Sequence, residues 1–212
     1  MQLSEEDREF YRWYGPWAPL SPREVEERLA GLDVPWWIVG GWAVEAFTGV
    51  AREHEDIDVA FFRADLGGVH AHLSPELCIW SNLSGTIRPL RTLDELLDGA
   101  RQLWVRRDGV SPWLMDLAAT PHDGETWISP RDPSVRRPLE AATFTAADGI
   151  RYLQPDLVLF MKALLARPKD DGDLETILPR LDPERRAWLA ETIERVHPGH
   201  RWLERIRMID GG

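Results

Sequence analysis

The chain has 212 residues, 43% of them aliphatic or aromatic and 29% charged, a globular composition that can bury a core and excludes a disordered chain. Its formal charge of −11 argues against broad contact with nucleic-acid backbones, which takes clustered Lys and Arg to displace counterions. Cys78 stands alone, so neither an internal disulfide nor a cysteine-based zinc site is available.

No apolar run approaches the roughly 20 residues of a membrane span. Met1 to Phe10 is acidic and polar, the opposite of a signal peptide's basic start and apolar middle, so a cytoplasmic protein is expected. The eleven Trp have no repeat period and read as core and helix-packing residues. An acidic surface suits a small cationic or neutral substrate. Arg101, Arg106 and Arg107 are the candidates for a local basic patch.

In chain order, Ser21-Pro22 followed by Glu24, Glu26 and Glu27 reads as a helix start, with a capping Ser, a tolerated Pro and acids facing the positive end of the dipole. That helix should close near Gly31. Trp36 to Val39 is a short apolar strand, and Trp42 to Phe47 opens a helix that Gly49 ends. Ile57 to Phe62 is a second strand, and Ala64 to Leu73 is expected to be helical. Leu77 to Trp80 and Gln102 to Arg106 read as strands with a helix over Thr92 to Ala100 between them. Trp113 to Ala119 is a further apolar strand with one charge, Asp116, in its middle.

Residues 121 to 154, rich in Pro, Gly, Arg and Asp, read as loops with short strands. From Pro155 the pattern turns helical: Leu157, Leu159, Phe160, Ala163 and Leu164 form one stripe, Leu174, Ile177 and Leu178 a second, and Trp188, Leu189 and Ile193 a third. The expected architecture is an α/β (α+β) core over residues 1–154, with N-terminal helices, and a helical subdomain over 155–212 packed on it.

Side chains alternate along a strand, so Asp56 and Asp58 face one way while Ile57, Val59 and Phe61 face a core. Two ionised carboxylates that close repel each other, and protonation or a cation relieves the strain. Mg²⁺ is the natural partner, a hard ion bound by carboxylates that completes its shell with water and phosphate oxygens. A plain strand end with its acids in water is the blander reading. Gly40-Gly41 lies between a strand and a helix, where glycine lets the backbone approach a phosphate and the helix N-terminus offers unpaired N–H groups. The dinucleotide motif Gly-x-Gly-x-x-Gly is absent. Asp116, in an apolar strand, needs either a buried partner such as Arg or a role as a third carboxylate or general base.

Gly40-Gly41, then Asp56-Ile57-Asp58, then Asp116 resembles the nucleotidyltransferase superfamily that includes DNA polymerase β. Within it, Trp37 to Val44 and Arg52 to Asp58 are similar to the small adenylyltransferases of aminoglycosides and lincosamides. The resemblance is concentrated in residues 35 to 62, and Trp42 stands where the superfamily often has Ser or Gly. It implies a mixed-sheet nucleotidyltransferase core, with Asp56, Asp58 and Asp116 holding two Mg²⁺ ions and Asp116 also accepting the acceptor's proton. Gly40, Gly41, Arg52 and Lys162 would bind the nucleotide, with Lys169 a lesser candidate. The implied reaction transfers a nucleoside monophosphate from NTP, ATP in the first place, to a hydroxyl of a small molecule, with antibiotic resistance as the biological setting. The alternatives are a toxin-like transferase acting on tRNA or protein, and a catalytically idle nucleotide-binding module.

Other signals are set aside. His54-Glu55 lacks the second His of a zinc-protease motif. His70 and His72 do not share a helix face. Asp170-Asp171-Gly172-Asp173 lacks the later Gly and Glu of a calcium loop, and its acids are expected to open a helix.

Overall fold

The computed structural model describes residues 5–208, so the first residues of the acidic N-terminal stretch lie outside the described residues. The chain starts with helices α1 (Glu5–Tyr14) and α2 (Pro22–Arg28), strand β1 (Trp36–Ile38) and helix α3 (Gly40–Thr48). Ser21 caps α2 as expected: its Oγ accepts from Glu24 N at 3.3 Å, while the Glu24 carboxylate accepts from Ser21 N at 2.8 Å. Gly40 at φ +68 makes the turn from β1 into α3, and Gly49 at φ +69 closes that helix.

Next come β2 (Asp58–Phe62), α4 (Leu66–Leu73), β3 (Cys78–Leu83), β4 (Thr86–Pro89), β5 (Gln102–Arg106) and β6 (Trp113–Thr120). The helix expected over Thr92 to Ala100 shrinks to a single 3₁₀ turn, Leu93–Glu95. Its backbone is used elsewhere: Leu97 N donates to Ser81 Oγ at 3.1 Å, Ala100 O accepts from Arg63 at 2.8 Å, and Gly99 sits at φ +79. Tertiary partners outweigh local helix propensity there.

The loop-rich stretch holds β7 (His122–Asp123), β8 (Thr126–Ile128), β9 (Arg136–Pro138), α5 (Leu139–Ala142), β10 (Thr143–Thr145) and β11 (Arg151–Leu153). The expected helical end follows as α6 (Pro155–Ala163), α7 (Pro168–Ile177), α8 (Pro183–Val196) and α9 (Trp202–Met208). No helix among the described residues is long and apolar enough to cross a membrane.

The chain groups into two compact units, residues 1–36 with 54–119, and residues 37–53 with 120–212. In the first, the strands lie in the order β2-β6-β5-β3-β4, and the pairs β6/β5, β5/β3 and β3/β4 are antiparallel. On β2, Val59 and Phe61 enter a core as expected, and Ala60 and Phe62 are buried as well. The strand is apolar on both faces, as an interior strand of a covered sheet must be.

The second unit is a mixed sheet, with β11 parallel to β1 and antiparallel to β10, beside a small antiparallel sheet β7-β8-β9. Helix α3 packs against α6 and α7, and α6 against α8. Helix α6 is buried continuously from Pro155 to Phe160, so it is a core helix rather than a one-sided one, and Leu164, placed in its apolar stripe by periodicity, is exposed. Its buried Asp156 is paired with Arg137 at 2.6 Å and Arg185 at 3.2 Å.

Candidate active site

In the first unit the structure brings Asp56, Asp58 and Asp116 into one electrostatic group. Asp116 N donates to Ile57 O at 2.9 Å, which sets the middle of β6 beside the Asp56-Ile57-Asp58 turn into β2. Asp56 is exposed and lies just before the strand, Asp58 is half-buried as its first residue, and Asp116 is buried. The gradient follows from the sequence, because the apolar neighbours of Asp116 drag it into the interior.

The Asp116 carboxyl is pushed well above the usual carboxylate range, first by burial and then by the charge of Asp58, with Asp56 adding to it. Hydrogen bonds from Trp104 and Gln102 oppose that shift. Trp104 Nε1 donates to Oδ2 at 3.1 Å and Gln102 Nε2 donates to the same oxygen at 2.9 Å. The other oxygen, Oδ1, is buried with no hydrogen-bond partner. The buried partner of Asp116 is therefore an indole and an amide rather than an Arg.

These residues fit a divalent cation by their chemistry. A desolvated carboxylate with an orphaned oxygen, in the field of two further carboxylates, is relieved by a proton or by a hard cation. Among the described residues, no three or more His, Cys, Asp or Glu side chains stand close enough together to hold a metal ion as a group.

The second unit holds Gly40, Gly41, Arg52 and Lys162. Val39, the residue before α3, gives that helix no side-chain cap, and a helix N-terminus is a place where anions bind. Lys162 and Arg52 meet at one carboxylate: Lys162 Nζ is 2.9 Å from Asp173 and 3.0 Å from Asp170, and Arg52 Nη1 is 2.6 Å from Asp173. Asp170 lies in the first turn of α7, as expected of those acids, and Asp173 farther along the same helix; both are buried. Burial works to raise the Asp170 carboxyl, but hydrogen bonds from Arg167 and Lys162 outweigh it and hold the group down to about 2. Lys169 is exposed on the first turn of α7.

The proposed basic patch does not form as a unit. Arg106 is stacked between Trp80 and Trp113, its guanidinium carbon 4.3 and 4.2 Å from their ring centres, which leaves Arg101 and Arg107 exposed without it. Sequence reading missed Gln102, Trp104, Asp170 and Asp173. Gln102 and Trp104 sit two apart on a predicted strand and so share a face, but their partner depends on a register, Trp104 opposite Asp116, that no local pattern encodes.

A family model of the aminoglycoside-2''-adenylyltransferases matches residues 23–91, a stretch that contains Gly40, Gly41, Asp56 and Asp58 and stops short of Asp116 and Lys162. The solution structure of the antibiotic-resistance factor ANT(2'')-Ia aligns with a TM-score of 0.57 at 16% identity, covering 90% of this chain and 95% of that one. A crystal structure of ANT(2'')-Ia in complex with adenylyl-2''-tobramycin aligns at 0.54 and 16% identity, covering 82% and 95%. The lincomycin-bound lincosamide antibiotic adenylyltransferase LnuA aligns at 0.49 and 16% identity, covering 76% and 98%. A sequence comparison with curated proteins finds no match. The chain has the fold of the nucleotidyltransferases, and its resemblance to the antibiotic adenylyltransferases stands.

Proposed function

We propose that this chain, a nucleotidyltransferase by its fold, moves a nucleoside monophosphate from NTP to a hydroxyl of a small acceptor of the aminoglycoside or lincosamide kind. The observation that carries the reading is the buried Asp116 carboxyl, with one oxygen held and the other without a partner, facing Asp58 and Asp56. The family match over residues 23–91 supports the same reading, as does an acidic chain's suitability for a cationic acceptor.

Asp56, Asp58 and Asp116 would hold Mg²⁺, two ions by the superfamily pattern, and the metal would neutralise charge on the phosphate oxygens of ATP. Asp116, kept ionised by the bound cation, would accept the proton of the acceptor hydroxyl. The acceptor oxygen forms a bond to the α-phosphorus as the bond from that phosphorus to the bridging oxygen breaks, and pyrophosphate leaves with the electron pair. The N-terminus of α3 at Gly40-Gly41 supplies N–H donors to phosphate oxygens. By the superfamily pattern Arg52 and Lys162 would supply positive charge for the triphosphate, in competition with their ion pairs to Asp173 and Asp170. An ATP-consuming reaction of this kind belongs in the cytoplasm.

The test is calorimetry with a non-hydrolysable ATP analogue, with and without Mg²⁺, on the wild type and on the folded Asp56→Asn/Asp58→Asn protein. Metal-dependent binding that vanishes in the double variant is the expected result. A pyrophosphate-release assay across aminoglycoside and lincosamide acceptors then identifies the substrate. An absence of nucleotide binding under every condition, acceptor present or not, would sink the reading.

A further inference from the structure

Asp116 is held by two donors on one strand, and both reach the same oxygen. Gln102 and Trp104 are alternate residues of β5, and the antiparallel pairing of β5 with β6 sets Trp104 opposite Asp116. Trp104 Nε1 and Gln102 Nε2 both donate to Oδ2, at 3.1 and 2.9 Å. Two donors on one oxygen stop the carboxylate from rotating and dispose of Oδ2 as an acceptor. They leave Oδ1 as the only oxygen of Asp116 still able to take a proton or a cation, and it is buried with no hydrogen-bond partner.

Trp104 is itself immobilised. Its ring lies 6.0 Å from Phe10, 5.8 Å from Tyr14, 5.4 Å from Trp17 and 5.3 Å from Trp113, centre to centre, mostly in edge-to-face or tilted arrangements. Phe10 and Tyr14 belong to α1, and Trp17 follows it, bridging to Trp113 on β6. Trp113 Nε1 in turn donates to Tyr14 O at 2.6 Å. An indole packed among four aromatic rings cannot change rotamer without opening the cluster. The N-terminal helix is thus connected through aromatic packing to the orientation of one carboxylate.

We propose that Trp104 and Gln102 are positioning residues for the transferase reaction, which lock Asp116 through Oδ2 so that Oδ1 alone is presented to the acceptor hydroxyl and the metal, with the aromatic side of α1 holding Trp104 in place. This rests on the nucleotidyl-transfer reading. It assigns the site a second layer formed by β5 and α1, neither of which carries a residue of the recognised motifs.

The test uses Trp104→Phe, which keeps an aromatic side chain smaller than the indole and removes the N–H, Gln102→Leu at an exposed position whose change leaves the core intact, and the two combined. The readouts are steady-state kinetics with ATP and acceptor, Mn²⁺ affinity measured with the metal alone, and thermal unfolding in chelator. Each single variant should lower kcat on the order of tenfold and the pair on the order of a hundredfold, with KM for both substrates little changed. Mn²⁺ affinity should fall in the same order, and Gln102→His, which restores a donor, should recover part of the loss in both readouts. A kcat in the double variant equal to wild type, or a loss confined to KM, overturns the proposal while leaving the transferase reading intact. Loss of activity in step with unfolding temperature, with Mn²⁺ affinity untouched, also overturns it, because a purely structural role predicts that pattern. No transfer by the wild type to any acceptor sinks the functional reading and the proposal together.

Discussion

At Asp116, burial and the charges of Asp58 and Asp56 make ionisation costly, and two hydrogen bonds return only part of that cost. A carboxyl of this kind holds its proton more tightly in the folded chain than in the unfolded one. Its contribution to stability is therefore present below the unfolded value of about 3.9 and is lost as pH rises through the folded value. Asp116→Asn removes the penalty. In chelator it should be more stable than wild type, by a margin that widens as pH rises above about 3.9 and then levels off, read by urea unfolding across pH. Its transferase activity should drop by roughly 10²–10⁴-fold through loss of the proton acceptor. Lys162 is the opposite case, a cation whose removal leaves the buried Asp173 to Arg52 and the buried Asp170 to Arg167. Lys162→Met should cost about 1–3 kcal/mol in urea unfolding. Asp170, held down to about 2 by Arg167 and Lys162 against burial, adds stability above about 3.9 that fades as pH falls toward about 2. The same Lys162 variant should flatten that acid limb.

Among the elements, those with local chemistry at their ends were readable and those shaped by partners were not. The Ser21-Glu24 capping box and Gly49 mark helix ends through hydrogen bonds and a left-handed φ that need no tertiary context. Ser21→Ala should cost about 1 kcal/mol, measured by thermal unfolding. Gly40, at φ +68, should tolerate Ala only at a strain of about 1–2 kcal/mol, and the change should also weaken nucleotide binding if the α3 N-terminus holds phosphate. The stretch from Thr92 to Ala100 shows the converse. Its sequence suits a helix, but Ser81 and Arg63 draw its backbone groups into other bonds. Strand β2 is likewise buried on both faces past Asp58, through Ala60 and Phe62 as well as Val59 and Phe61.

At the scale of the whole molecule, the net charge of −11 should speed encounter with a polycationic acceptor. Raising ionic strength from about 0.01 M to about 0.15 M shortens the screening length from about 30 to about 8 Å. It should lower kcat/KM for an aminoglycoside several-fold and leave a weakly charged lincosamide nearly unaffected, which stopped-time assays on both acceptors would show. The resemblance carried by Gly40-Gly41, Asp56-Ile57-Asp58 and Asp116 implied the nucleotidyltransferase core, and apolar periodicity the helical character of residues after 154, because these features are local in the chain. What holds Asp116, what neutralises Lys162, and the compact grouping of 37–53 with 120–212 came only from the tertiary structure. Each depends on pairing between residues distant in sequence, such as Trp104 with Asp116 or Arg52 with Asp173. Strand register and helix packing set such contacts, and both are properties of the folded whole that no local spacing records.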